Sequence, residues 1–243
     1  MVKNILVILF VGIISFTNIS WSTKINAKEP ITGSFSTYSQ NLYKELNIPE
    51  LRFQVFEFAL KGYLKLNENN ILKNSNILSI IDMSISSKSK RFFIIDLKNK
   101  KVLHKSIVAH GQNSGLEFAK IFSNKVNSHK TSLGFYKTAE TYFGKHGLSL
   151  RLDGLEFSNS NARKRAIVIH SADYVSNVFI KNNGRLGRSW GCPSLPKKDY
   201  SKIIEKIKEE SILFIYYPNQ EYLKTSKLVS NNIPNSFDYN YTD

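Results

Sequence analysis

The sequence predicts a mainly β domain with flanking helices, an α+β chain whose strands close a barrel or pack as a sandwich rather than forming a doubly wound sheet. Three observations predict it. Short apolar or alternating runs recur between residues 77 and 217, separated by polar or glycine-bearing turns. Helical spacing is confined to one stretch near the N-terminus and one just after residue 199. The composition, 42% hydrophobic and 22% charged, is that of an ordinary globular chain and excludes disorder throughout.

In chain order, Lys3 precedes an uncharged apolar run over residues 5–16. That run is too short to span a bilayer comfortably and suits the core of a signal peptide. Residues 1–27 are therefore read as a signal peptide, with an uncleaved anchor as the alternative, and no stable membrane span is expected after cleavage. Residues 28–76 form an N-terminal helical segment, with a short helix over 38–46 and a longer one from Pro49 to about Leu66. Val55, Phe58, Ala59, Gly62 and Leu66 make one stripe, which Phe56, Leu60 and Tyr63 widen. So broad an apolar face needs a cover, so this helix is expected to pack on the main domain.

The main domain is set at residues 77–218. Strands are expected over 77–83, 91–97 and 102–109, the last two joined by Lys98-Asn99-Lys100 as a hairpin. The loop at 110–115 lacks the spacing of a phosphate-binding loop, which excludes nucleotide binding there. Further strands are expected over 134–141, over 148–152, where leucines alternate with Ser149 and Arg151, and over 166–170, which ends on His170. Asn182-Asn183-Gly184 marks a loop tip. Tyr200, Ile203, Ile204 and Ile207 fit a helix, and a buried strand over 212–217 ends at Pro218. Residues 219–243 read as a flexible polar tail.

The net charge of +15 favours anionic partners. With an export leader and no nucleic-acid motif, those partners are envelope polymers and lipid head groups, not nucleic acid. The expected location is the periplasm or cell envelope, and the expected state a monomer. The five histidines show no helical zinc spacing, and one cysteine cannot build a thiolate-rich site, so neither metal nor cofactor is expected.

The chemistry centres on Arg188-Ser189-Trp190-Gly191-Cys192-Pro193, which holds the only cysteine of the chain. A free cysteine is ordinarily a small buried hydrophobe. Here glycine, proline, arginine and serine surround it, which is loop composition, and loops carry function. An exported protein normally pairs its cysteines, so one kept unpaired suggests a use. Cys192 is therefore the candidate nucleophile and His170 the base that holds it ionised. The backbone N–H groups of Gly191 and Cys192 are candidate donors to a developing oxyanion; Pro193 has none to give.

His170-Ser171, followed after a gap by Ser189-Trp190-Gly191-Cys192, resembles the signature of the L,D-transpeptidases of peptidoglycan. Segments 91–97, 145–150 and 188–195 further resemble the murein L,D-transpeptidase catalytic-domain branch, so that the likeness spans about residues 77–217. Two departures stand out: Trp190 replaces the histidine of the family's box, and Pro193-Ser194 stands where many members carry a hydrophobic residue and an arginine. The resemblance implies a β-rich catalytic domain that acts on peptidoglycan stem tetrapeptides. Cys192 would form an acyl-enzyme, D-alanine would leave, and an amine would complete a crosslink. It also implies His170 as proton acceptor and Ser171 as its orienting partner, with Arg188, Ser189, Trp190, Arg151 and His146 as candidates for binding substrate. An L,D-carboxypeptidase using water as acceptor and a non-catalytic peptidoglycan-binding protein are the alternatives. A sortase-like enzyme is disfavoured because no arginine follows Arg188, and a papain-like protease because the cysteine comes second.

Overall fold

The computed structural model describes residues 34–68 and 72–230; the expected leader over 1–27 and residues 231–243 of the expected tail lie outside them. Two helices come first, α1 (Phe35–Leu46) and α2 (Phe53–Asn67). Ser34 caps α1 by accepting the Thr37 N–H at 3.4 Å. The strands are β1 (Ile77–Asp82), β2 (Phe92–Asp96), β3 (Lys101–Ser106), β4 (Gly134–Gly144), β5 (Gly147–Gly154), β6 (Val168–Ser171), β7 (Ser194–Leu195) and β8 (Ile212–Tyr216). Three more helices complete the chain, α3 (Asn177–Asn183), α4 (Tyr200–Ile207) and α5 (Gln220–Thr225).

The strands form one sheet in the order β3-β2-β1-β8-β4-β5-β6-β7. Neighbours run antiparallel except β1 with β8 and β6 with β7. The two ends then approach each other. Ala109, just past β3, bridges Ser194 of β7, and Gly111 bridges Ser189. The sheet is a nearly closed barrel, mainly β with five helices described, as the sequence predicts.

One hydrophobic core runs through both the barrel and the N-terminal helices. Val55, Phe56, Ala59, Leu60 and Tyr63 of α2 are fully buried, and α2 covers β1 and β8. Gly62 is where α2 comes closest to the sheet: a Cβ there would stand 2.1 Å from Cζ of Phe135, whose ring stacks on Phe214 at 4.3 Å. Helix α4 buries Ile203, Ile204 and Ile207 and bridges β1 on one flank to β5 and β6 on the other.

The structure departs from the pattern reading in three places. The strand expected over 148–152 runs on through Asp153 and Gly154 as β5, which pairs with β4 as far as Tyr136 opposite Gly154. Helix α3 and strand β7 are too short to leave a periodicity. The tail does not begin at 219: Asn219 caps α5 by accepting the Tyr222 N–H at 2.8 Å, and the Tyr222 hydroxyl donates to Glu156 at 2.9 Å. A polar composition hid the one buried ring that anchors this segment.

Behind the seam, Arg91 is fully buried. It donates to the Val108 carbonyl at 2.8 Å, to the Ile85 carbonyl at 3.0 Å and to Nδ1 of His110 at 2.8 Å. A guanidinium only donates, so Nδ1 is the acceptor and the His110 proton sits on Nε2. Burial, and then the neighbouring Arg91 charge, push the His110 pKa down from 6.5 to about 3.

Two predictions follow from this packing. Gly62→Ala raises helix propensity yet should lower stability by about 1–3 kcal/mol, read as a lower urea midpoint, because Phe135 has no room to move. His110 binds its proton near pH 6.5 when unfolded but only near pH 3 when folded. The unfolded chain is the better proton binder between those values, so stability is full above pH 6.5 and falls by several kcal/mol toward pH 3. His110→Gln should flatten that slope in urea midpoints measured across the range; an unchanged slope would assign the acid sensitivity elsewhere.

Candidate active site

The turn that carries Cys192 is tied down by its neighbours. Gly191 has φ +122°, and a Cβ there would meet the Lys130 carbonyl at 2.8 Å and Nη2 of Arg165 at 3.0 Å, so only glycine fits. The buried Ser189 hydroxyl accepts the Gly191 N–H at 3.0 Å and donates to the Cys192 carbonyl at 2.6 Å. The Thr131 hydroxyl accepts the Gly111 N–H at 3.0 Å and donates to the Gly191 carbonyl at 3.3 Å. These bonds correct one expectation. The Gly191 N–H is spent on Ser189, which leaves the Cys192 N–H, with no hydrogen bond among the described residues, as the donor available to an oxyanion.

The Cys192 sulfur lies beside the start of β6. Sγ accepts the Val168 N–H at 3.5 Å and faces the Ala166 carbonyl at 3.8 Å. Burial pushes the thiol pKa up; the Val168 N–H and the Arg165 charge pull the other way.

His170 is buried in β6. Its Nδ1 lies 2.9 Å from the Ser171 carbonyl, which can only accept, so Nδ1 carries the proton in the neutral ring. Nε2 is then an acceptor, and the Ser194 hydroxyl donates to it at 3.0 Å. That leaves the Ser194 oxygen to accept the Tyr174 hydroxyl at 3.1 Å. The chain of protons has one direction: Tyr174 to Ser194, Ser194 to His170, His170 to Ser171. Burial lowers the His170 pKa, opposed by the Ser171 carbonyl and reinforced by the charges of His146 and Lys145.

The direct thiol–imidazole contact expected from sequence is therefore absent among the described residues. Register is the reason. Strands β6 and β7 pair in parallel with His170 opposite Ser194, while Cys192 lies two positions earlier, alongside Val168. Thiol and imidazole thus meet separate partners, and burial favours the uncharged form of each.

The other sequence candidates fall into two groups. His146, exposed in the turn between β4 and β5, stacks on the His170 ring at 4.4 Å, and its carbonyl accepts the Ser171 hydroxyl at 3.2 Å. Trp190 is 69% exposed and stacks on His129 at 4.9 Å, nearly parallel. Both stand at the site and face solvent. Ser189, Arg188 and Arg151 instead spend their polar groups on the protein. Ser189 closes the turn, and Arg188 donates to the Gln112 and Gly115 carbonyls at 2.9 and 3.1 Å. Arg151 pairs with Glu140 at 3.0 Å and lies over the Tyr142 ring at 4.6 Å.

Sequence reading missed Ser194, Tyr174, Thr131 and Arg165. Ser194 carried a legible signal, since it lies within two residues of the cysteine in a segment already singled out. The others depend on a register that no local pattern encodes.

The comparisons with known proteins can now be set beside this geometry. No curated protein matches the chain. Among solved structures, an L,D-transpeptidase from Mycobacterium smegmatis is 12% identical with a TM-score of 0.37, over 58% of this chain and 59% of that one. The chain thus spans about three fifths of that protein's length. An L,D-transpeptidase from Xylanimonas cellulosilytica (residues 123–326) is 11% identical with a TM-score of 0.37, over 76% of this chain and 95% of that one. The sequence itself matches the family described as L,D-transpeptidase catalytic domain over residues 47–216, a span that takes in α2 as well as every strand. By that match, over more than half of its length, the chain belongs to the L,D-transpeptidase catalytic-domain family.

Proposed function

We propose that this protein is an exported L,D-transpeptidase that acts on peptidoglycan stem tetrapeptides through a Cys192 acyl-enzyme. The observation that carries the reading is the Cys192 turn: the chain's only thiol, an unspent N–H on the same residue, and a histidine oriented nearby by a backbone carbonyl. Family membership supplies the substrate class. The leader over residues 1–27 supports export, and no described helix is long and apolar enough to cross a membrane.

In this reading the thiol proton passes to Nε2 of His170, with the Ser194 hydroxyl either relaying it or turning aside. The thiolate attacks the carbonyl carbon at the L-centre of the third stem residue, and the Cys192 N–H donates to the oxygen as it becomes negative. The C–N bond to D-alanine breaks, and the imidazolium protonates the departing amine. An amine of a second stem then attacks the thioester, His170 takes its proton, and the sulfur leaves. Water in place of that amine would give a carboxypeptidase. His146 and Trp190 form the exposed walls. Since Trp190 has a donor but no basic nitrogen, it bounds the site without moving protons.

The deciding experiment incubates the protein with disaccharide tetrapeptide and reads D-alanine, tripeptide and dimer by mass spectrometry. Cys192→Ala should cut D-alanine release by at least ~10³-fold while the thermal midpoint and circular dichroism stay as in the parent. Turnover retained in that variant would remove Cys192 as nucleophile, and a parent protein without any turnover would favour the binding-protein reading. Trp190→Ala should raise KM several-fold with a smaller effect on kcat. Trp190→His, which keeps a flat ring over His129, should stay close to the parent. Equal KM values for all three proteins would place the tryptophan outside the substrate path.

A further inference from the structure

We propose that Arg165, not His170, is the cation that holds the Cys192 thiolate, a positioning residue set beneath the turn. The proposal rests on Cys192 being the nucleophile and adds the source of its charge stabilisation.

Arg165 is a half-buried cation whose hydrogen-bonding partners are all neutral. One nitrogen donates to the Ser123 carbonyl at 2.9 Å and the Ser132 hydroxyl at 3.1 Å; the other donates to the Ser128 hydroxyl at 3.3 Å and to the Lys130 carbonyl. Among the described residues it forms no ion pair, whereas Arg163, two residues away, is paired with both Asp153 and Glu140. Carbonyls and hydroxyls satisfy the guanidinium's donors without cancelling its charge. A cation so placed keeps an outward field, which is stronger for being partly screened from water.

That field is aimed at the turn. Nη2 lies 3.0 Å from the position a Gly191 Cβ would take. Ala166, the next residue, has φ +51°, and its carbonyl faces the Cys192 sulfur at 3.8 Å. The guanidinium thus lies against the residue before Cys192, and the backbone of the residue after Arg165 lies against the sulfur. Two groups able to become anions feel Arg165, Tyr136 and Cys192. Tyr136 is fully buried, gives its proton to the Ser132 carbonyl at 2.9 Å, and has its pKa pushed up, so it stays neutral. The anion left for Arg165 to complement is the thiolate.

The remaining groups around the sulfur do not compete for that role. The Tyr174 phenol is neutral, and its pKa is raised by burial. His170, two positions along β6, is held neutral by burial, with His146 and Lys145 beyond it. A division of labour results. Arg165 supplies a charge that does not titrate in the working range, and His170 is left free to carry the proton. A site built on an imidazolium would lose one role whenever it performed the other.

The test is the pH dependence of iodoacetamide alkylation, read on the Cys192 peptide of the otherwise intact protein. Arg165→Gln should move the midpoint up by about 1–2 pH units, and Arg165→Lys should fall between it and the parent. Arg163→Gln, which removes the same charge from the paired neighbour, should leave the curve in place. Because Arg165 also ties down the 123–132 loop, a second variant leaves it intact. Ser128→Asp sets a carboxylate beside Nη2, cancels the charge internally, and should raise the midpoint in the same direction. Unmoved curves for Ser128→Asp and for every folded Arg165 variant would overturn the proposal. Alkylation needs no substrate, so this result is separate from the D-alanine assay. A shifted curve with turnover retained in Cys192→Ala would keep the charge pairing and remove the acyl-enzyme.

Discussion

Two residues of parallel pairing hold the site together: His170 opposite Ser194, and Ser171 opposite Leu195. Ile169 and Leu195 are fully buried, so the core fixes which way each strand faces. The same Ser194 accepts the Ala109 N–H at 2.9 Å, which draws the far end of the sheet to the near one. Closing the barrel and assembling the site are therefore one event. A slip of one residue between β6 and β7 would turn Ser194 away from the imidazole and break the seam as well. The candidate site lies on the line where the sheet meets itself, and the barrel's closure and the bonds that tie the Cys192 turn fix it together.

That register also decides the electrostatics. The imidazole meets a serine hydroxyl, the thiol meets a backbone N–H, and burial favours the uncharged form of each. For a cysteine proposed to work outside the cytoplasm this has a benefit. Oxidation proceeds through the thiolate, so burial that favours the thiol form slows it.

Much of this was legible from residue order. The apolar runs gave the barrel's long strands, and the stripe through Val55, Ala59 and Gly62 gave a helix that had to be covered. The segments around His170 and Cys192 gave the site's two ends and the family. What could not be read was how those ends meet. Side-chain types at 189, 188 and 151 suited substrate binding, yet their partners are the Cys192, Gln112 and Gly115 backbone and the Glu140 side chain, all chosen by tertiary contact. Arg165 looked like one more basic residue in a basic chain. Its distinction is that no carboxylate pairs with it among the described residues, and a missing partner leaves no trace in sequence. Strand β7 is two residues long, too short for any periodicity, although the whole site turns on it.

The stacking of Trp190 on His129 has a practical consequence. The chain has two tryptophans, Trp21 and Trp190. In a protein trimmed of residues 1–27, all indole emission comes from one ring that is solvent-facing, parallel to an imidazole and within the same turn as Cys192. The protein then carries its own optical probe at the place where a stem peptide would lie, and a ligand that covers the ring or parts it from His129 changes the emission without any added label.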